Sequence, residues 1–395
     1  MDLRFSPEEE AFRAEVRGFL DARLTGEYAC LRGRGGPGDE EAYPALRRAW
    51  EGVLGEAGYV GLGWPVEHGG RGASLMEQVL FGEEYARQRG PGRLGHIGEH
   101  LVAPTLIAFG TDAHKRRFLP QIQRGELWCQ GYSEPGAGSD LASVRTRAER
   151  SGGEWVISGQ KVWTSHAHLS DWCFVLCRTD PDAPKHRGLS YLLVPMRQPG
   201  ITVRPIPQMT GGSEFSEVFF DGARTEADLV VGEENGGWRV AMGTLAFERG
   251  VSTLGQQIGF SNELAKVLEI ARRNGAARDP LIRQRLARAW MGLRVMRWNA
   301  LRTLGGSELG ELGRTASIGK LYWSEWHQRL GELAMEVLGA DAEVAEPGSD
   351  AAALQRVFLF SRADTIYAGT SEIQRNLIGE RAIGLPPEPR PPGTK

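Results

Sequence analysis

Apolar residues fall at helical spacing from the start of the chain. Phe12, Val16, Phe19 and Leu20 share one face, and Ser6-Pro7-Glu8-Glu9 ahead of them supplies a cap, a first-turn proline and a capping-box glutamate. Residues 30–44, CLRGRGGPGDEEAYP, break the pattern and read as a loop. Helical spacing returns at 45–54, 74–87 and 104–109, and again at 113–124 around Phe118, Leu119 and Ile122.

The texture changes near residue 126. Short β-rich runs occupy 155–157, 161–163, 172–177, 189–194, 201–203 and 217–220, and Ser158-Gly159-Gln160 reads as a hairpin turn between the first two. Strands this short and closely spaced predict an antiparallel sheet or small barrel rather than a βαβ fold. After Gly236-Gly237 the chain is helical again over 238–274, 279–305, 313–339 and 371–382, with Asp279-Pro280 opening the second stretch. The expected fold class is α+β: an N-terminal α-helical domain over 1–125, a central antiparallel β-domain over 126–236 and a C-terminal helical bundle over 237–386. A tail from 387 is expected to be extended or disordered.

Composition narrows the function classes. With 41% hydrophobic and 25% charged residues the chain resembles soluble globular proteins, and no apolar run approaches the roughly 20 residues of a membrane span. The opening MDLRFSPEEE has no basic-then-apolar leader, so a cytoplasmic location is expected. Net charge is −3, with basic residues scattered among acidic ones, which argues against nucleic acid as a partner. Cys30, Cys129, Cys173 and Cys177 form no CxxC pair and are expected to be free thiols.

Two motifs invite misreading. Gly90-Pro-Gly92-Arg-Leu-Gly95 has the GxGxxG spacing but follows a charged helical stretch and lacks the βαβ setting of a dinucleotide site, so it reads as a loop. His96-Ile-Gly-Glu99-His100 has the spacing of an inverted zinc-peptidase motif. That mechanism needs a third ligand on a paired downstream helix, and the downstream region is β-rich. No metal is expected, and His166-Ala-His168 reads as a turn.

Three elements carry chemistry. Gln130-Gly-Tyr132-Ser133-Glu-Pro-Gly-Ala-Gly138-Ser139-Asp140 is a glycine-rich bend flanked by hydroxyls, suited to phosphate or the polar edge of a heterocycle. Trp163-Thr164-Ser165 sets a large aromatic plane beside hydroxyl donors. Ala368-Gly369-Thr370-Ser371-Glu372 leads into a helix. Each alone could be an ordinary loop, core tryptophan or capped helix.

Together they resemble the acyl-CoA dehydrogenase family. The resemblance spans nearly the whole chain, through GLGWPVEHGG (61–70), FLPQIQRGELWCQGYSEPGAGSD (118–140), WVISGQKVWTS (155–165), EVFFDGAR (217–224) and IYAGTSEIQRNLIGERAIGLP (366–386). It implies a helical domain, a β-domain and a four-helix bundle, with FAD held between β-domain and bundle. Tyr132 and Ser133 would meet the flavin ring, Gly138 and Ser139 its phosphates or the substrate pantetheine, and Gln130 a further flavin-facing position. Trp163 would pack on the isoalloxazine and Ser165 would hydrogen-bond near N5. Thr370 and Glu372 stand where the family contacts the ADP portion. Arg273 and Gln284 match, by spacing, contacts to a neighbouring subunit's FAD. Where the family often has QxxGG this chain has Glu336-Val-Leu-Gly339-Ala340, and a carboxylate beside pyrophosphate is unfavourable unless it turns away or meets an arginine.

The resemblance implies α,β-dehydrogenation of an acyl-CoA thioester, with reoxidation by electron-transfer flavoprotein. A carboxylate would take the α-proton while hydride leaves for flavin N5. Many members carry that carboxylate in Tyr-Glu-Gly-Thr; here the motif is Tyr367-Ala368-Gly369-Thr370. One branch, including isovaleryl-CoA and long-chain enzymes, holds it on an early helix of the C-terminal bundle, where this chain has Glu248 followed by a recurrent family arginine, Arg249. Glu248 is therefore the expected base. Ala368 keeps the backbone N–H of the oxyanion site, so Arg249, Tyr367, Ala368 and Ser139 are expected on the substrate side. The expected assembly is a homotetramer, or a heterotetramer with a related chain that completes the FAD sites.

Overall fold

The structure is a computed structural model that describes residues 5–36, 38–248, 251–304, 309–344 and 346–387; for 248, 251–256, 301–304 and 309–317 it describes the backbone alone. The chain forms two compact units, Met1–Ser252 and Thr253–Lys395.

The first unit opens with five helices: α1 (Pro7–Arg23), α2 (Pro44–Glu56), α3 (Leu75–Arg87), α4 (Ala103–Phe109) and α5 (Asp112–Gln123). The capping box predicted at α1 is present: Ser6 Oγ accepts from Glu9 N at 3.2 Å, and the Glu9 carboxylate accepts from Ser6 N at 2.7 Å. The same device, Ser74 with Glu77, starts α3. The apolar faces converge on Val16, Leu20, Trp50, Leu54, Leu80 and Phe118, all buried.

Among the described residues eight strands follow: β1 (Trp128–Gly131), β2 (Arg147–Ser151), β3 (Glu154–Ser165), β4 (Trp172–Arg178), β5 (Leu189–Pro195), β6 (Ile201–Pro205), β7 (Phe215–Glu226) and β8 (Val230–Val231). They form one sheet in the order β6-β7-β3-β2-β4-β5-β8, with β1 paired to β4. Pairing is antiparallel except at β1–β4 and β2–β4. One face carries Ile157, Val175, Leu192 and the three buried thiols Cys129, Cys173 and Cys177. The other sets Trp128, Phe174 and Tyr191 into the helical core. Helix α6 (Gly237–Glu248) closes the unit.

The turn expected at Ser158-Gly159-Gln160 is absent. Residues 154–165 form one continuous strand, and the chain reverses instead between β2 and β3 at residues 152 and 153. Gly159 serves a close approach: a Cβ there would lie 2.5 Å from Thr146 Oγ1 and 2.6 Å from Thr146 Cα. The strand accommodates it with a register shift at Ile157/Ser158.

The second unit is helical: α7 (Val251–Arg273, entering from the unit boundary), α8 (Pro280–Leu304), α9 (Leu309–Leu338), α10 (Asp350–Ser361) and α11 (Ser371–Leu377). Val267, Ile270, Trp326, Leu330, Ala334 and Leu354 form its core. Helix α10 was not marked by periodicity. Its apolar residues run continuously through Val357-Phe358-Leu359-Phe360, most of them half-buried, so no single face stands out. Among the described residues no helix is long and apolar enough to cross a membrane. The expected tail from 388 onward lies outside the described residues.

Candidate active site

In the first unit the glycine-rich bend leaves the end of β1 and is held down by a buried ion pair. Lys161, fully enclosed in β3, donates to Glu134 Oε1 at 2.8 Å, to Tyr132 O at 3.0 Å and to Leu176 O at 2.8 Å. Glu134 also accepts from Arg145 N at 2.7 Å and Thr146 N at 2.9 Å. Burial alone would raise the Glu134 pKa; Lys161 and these backbone donors outweigh it and hold the carboxyl below its usual value. Sequence reading missed both residues, although a lysine next to Val162 and Trp163 within a strand was a signal. The Tyr132 ring packs edge-on to Phe174 at 5.3 Å, and its hydroxyl donates to Ala241 O at 3.4 Å. Gln130, half-buried, lies opposite Phe174 in register. Ser133 O accepts from Val162 N at 2.9 Å, joining bend to strand. Gly138 and Ser139 stand exposed at the tip.

The last residues of β3 are irregular. Trp163 has φ +61°, a conformation costly for a bulky side chain. It is also 59% exposed, with Phe215 edge-on at 6.1 Å. A register shift between Lys161 and Thr164 accompanies it. Thr164 is fully buried, and its hydroxyl has no partner among the described residues. Ser165 ends the strand, half-buried. A flat aromatic held out to solvent against backbone strain, beside a buried unpaired hydroxyl, is an arrangement that a planar ligand with polar edges would complete.

His166 follows at once, also at positive φ (+53°). Its ring is edge-on to that of His96, with centroids 6.1 Å apart. Burial pushes the His166 pKa down to about 3, with His96 adding to the effect, and burial also lowers His96. Nearby Glu214 is raised to about 7 by burial and then by Glu40. Gly98–Val102 forms a π-helical turn. Glu99 within it accepts from Gly61 N at 2.9 Å and from Arg93 at 2.6 Å. Among the described residues no group of three or more His, Cys, Asp or Glu could hold a metal ion.

In the second unit the segment before α11 is built on a charged histidine. His327 Nδ1 lies 2.5 Å from Asp364 Oδ2 and Nε2 lies 2.8 Å from Glu263 Oε2, so both ring nitrogens donate. Burial opposes the charge, but the two hydrogen bonds prevail and raise the pKa to about 9. Asp364 Oδ1 accepts from the Tyr367 hydroxyl at 2.7 Å, and its carbonyl accepts from Lys320 at 2.6 Å. Ala368 has φ +52°. Its carbonyl accepts from Gln374 at 3.0 Å, and its N–H makes no hydrogen bond among the described residues. Thr370 caps α11 by accepting from Ile373 N at 3.3 Å. Ser371 Oγ is buried without a partner. Thr370, Ser371 and Glu372 line a cleft of about 510 Å³ with Glu325, Arg329 and Arg375.

Of the positions matched by spacing, Arg273 is engaged within the chain and Gln284 is exposed. Arg273 pairs with Asp350, which also holds Lys266 at 2.7 Å. Glu336 meets an arginine, Arg285, and Gln284 beside it is exposed. Glu248 is the last residue of α6, and its side chain lies outside the described residues, as does Arg249.

Comparisons with known proteins are consistent along the chain. Residues 6–126, 129–223 and 235–383 match, in turn, the families described as Acyl-CoA dehydrogenase, N-terminal domain, middle domain and C-terminal domain. The chain is 60% identical over 380 residues to the Mycobacterium tuberculosis protein named acyl-CoA dehydrogenase IpdE1, covering 96% of this chain and 98% of that protein. Among solved structures it resembles the Tcur3481-Tcur3483 steroid ACAD, with TM-score 0.85 and 31% identity, covering 98% of this chain and 100% of that one. It also resembles the ChsE4-ChsE5 complex from Mycobacterium tuberculosis, with TM-score 0.82, 32% identity and the same coverage.

Proposed function

The chain belongs to the acyl-CoA dehydrogenase family, and from that premise we propose that it dehydrogenates the α,β bond of an acyl-CoA thioester with Glu248 as general base. It is an oxidoreductase acting on acyl-CoA, and members of its family are flavoproteins.

The residues present fit FAD. Trp163 and the unpaired Thr164 hydroxyl supply a plane and a polar edge, Ser165 a donor beside them, and the bend at Gly138 and Ser139 exposed backbone for phosphate. In the second unit Thr370, the buried Ser371 hydroxyl and Glu372 supply polar contacts for the nucleotide end. When bound, FAD supplies the acceptor for the β-hydride.

The observation that carries the reading is the Ala368 backbone. A side chain without a carboxylate stands at the Tyr-Glu-Gly-Thr position, yet the residue is held at φ +52° with its N–H unbonded. Such strain, of order 1–3 kcal/mol, persists where surrounding structure enforces it. An oriented, unpaired N–H serves a thioester oxygen that gains charge as the α-proton leaves. The proton itself must go elsewhere, and Glu248 on α6 is the carboxylate that the family's other branch places for it. We assign electron-transfer flavoprotein as the acceptor partner. The steroid ACAD relatives motivate a bulky, steroid-derived acyl group.

Glu248→Gln tests the reading. The variant keeps its flavin and binds acyl-CoA, but on anaerobic mixing with substrate it reduces the flavin about 10²–10⁴-fold more slowly. Near-normal reduction would place the base elsewhere.

One observation favours assembly with a second chain. On α8, Trp290, Met291 and Trp298 are 53%, 52% and 49% exposed along one stripe, more aromatic surface than a lone helix face usually shows water. The ChsE4-ChsE5 relative is a two-chain complex. Co-expression with a related chain would yield a mixed tetramer by light scattering; an active monomer would exclude it.

A further inference from the structure

We propose that His96 and His166 form a hydrogen-bonding wall that recognises a ring carbonyl or hydroxyl on the acyl group of the substrate. The proposal rests on the reading above, in which Ser165 stands beside the hydride acceptor. His166 is the next residue, about 3.8 Å away along the backbone, so a group on an acyl chain reacting there comes within its reach.

The backbone of His166 is fixed from both sides. Its N–H donates to Glu214 O at 2.8 Å, and its carbonyl accepts from Ser170 Oγ at 2.9 Å. The residue is thereby held at 6% exposure, and neither ring nitrogen makes a hydrogen bond among the described residues. A ring nitrogen with no bond inside the protein keeps its capacity to donate or accept for a ligand.

His96 completes the pair. Its Nδ1 lies 3.0 Å from Arg93 O, an acceptor only, so Nδ1 carries the proton and donates. Nε2 is then an acceptor, also without a partner among the described residues. Arg93 is itself clamped by Glu51 at 2.7 Å and Glu99 at 2.6 Å, which fixes the carbonyl and with it the tautomer. Two residues on, the π-turn at Gly98–Val102 interrupts the helix; insertions of this kind recur at functional sites.

The surroundings select the ligand class. Burial keeps both imidazoles neutral at pH 7, so the rings themselves carry no charge to draw a carboxylate or phosphate, and the nearby cations are engaged, Arg93 by Glu51 and Glu99 and Arg47 by the carbonyls of Gly35, Glu40 and Gly92. Each ring offers hydrogen-bonding capacity that a plain hydrocarbon would leave unmet, whereas a carbonyl or hydroxyl oxygen satisfies it. Thr164 Oγ1 near the end of β3, Ser216 Oγ opposite it in β7 and His168 Nδ1 in the turn that follows β3 are all buried and without partners among the described residues. Unmet polar capacity is concentrated where this reading puts the reacting acyl group.

The test compares 3-(4-oxocyclohexyl)propanoyl-CoA with 3-cyclohexylpropanoyl-CoA on the assembled holoenzyme, by anaerobic flavin reduction and by kcat/KM with a dye acceptor. Wild type favours the keto substrate by at least about tenfold, the scale of one net hydrogen bond. His166→Phe brings the ratio near one, and His166→Asn, which tolerates positive φ and keeps a donor and an acceptor, retains part of it. His96→Leu repeats the test from the helix side, and because the readout is a ratio, partial loss of folded protein cancels. A wild-type ratio near one, or a ratio unmoved by both His166→Phe and His96→Leu, overturns the assignment. Failure of every acyl-CoA in a wider panel to reduce the wild-type flavin overturns instead the dehydrogenase reading beneath it.

Discussion

Lys161 Nζ lies 2.8 Å from Glu134 Oε1, and both side chains are closed off from solvent. The pair ties the bend at 132–146 to β3, the strand that carries Trp163 near its end. Lys161→Met leaves a buried carboxylate without its cation, which typically costs about 3–5 kcal/mol. The variant is expected to unfold at a markedly lower denaturant midpoint and to lose flavin before it unfolds. An unchanged midpoint would mean that Glu134 finds water or another donor.

Trp163→Gly separates strain from binding. Glycine accepts φ +61° freely, so about 1–2 kcal/mol of backbone strain is relieved, offset in part by the greater freedom of the unfolded chain. The melting temperature of the apoprotein is expected to hold or rise. FAD binding, followed by fluorescence titration, weakens by about 1–3 kcal/mol if the ring stacks on the cofactor as aromatic side chains do on bases. Unaltered FAD affinity would remove Trp163 from the site.

His327 makes stability depend on pH. Its folded pKa, about 9, lies above the unfolded value near 6.5. The stabilisation is therefore complete below about pH 6.5 and is lost as pH rises through 9, a change on the order of 3 kcal/mol. Thermal melts from pH 6 to 9.5 are expected to show a falling Tm in wild type and a flatter profile in His327→Gln. The Gln variant starts from a lower Tm because Asp364 and Glu263 lose their shared cation. Parallel profiles would assign the dependence to another group.

Gly55→Ala is expected to destabilise although alanine is the better helix former by about 1 kcal/mol. A Cβ at position 55 would lie 1.8 Å from Gln123 O, so α2 and the end of α5 must part. A denaturation midpoint at or above wild type would show that this contact relaxes easily.

Much of the architecture was legible in local spacing. The cap at Ser6, the proline at the start of α1, the one-turn apolar repeats of α2 and α5 and the change to short apolar runs after residue 126 each depend on residues within a few positions of one another. Helix α10 escaped because its apolar residues cover more than one face. The turn assigned at Gly159 failed because a glycine that relieves a contact with Thr146 and a glycine that reverses the chain look alike in one dimension.

The sequence by itself determined the order of elements, the family and the chemical identity of the groups: tryptophan beside hydroxyls, an alanine where a glutamate is usual, a glutamate on α6. Tertiary structure decided which of these act together. It set Lys161 against Glu134, His96 against His166 and His327 between Glu263 and Asp364, pairs far apart along the chain. It also decided that Trp163 and Ala368 take a left-handed backbone that neither side chain prefers. Helical and strand periods are imposed by neighbours a few residues away and so are written locally. The charge state of a buried histidine and the sign of a strained φ are imposed by groups that only folding brings near.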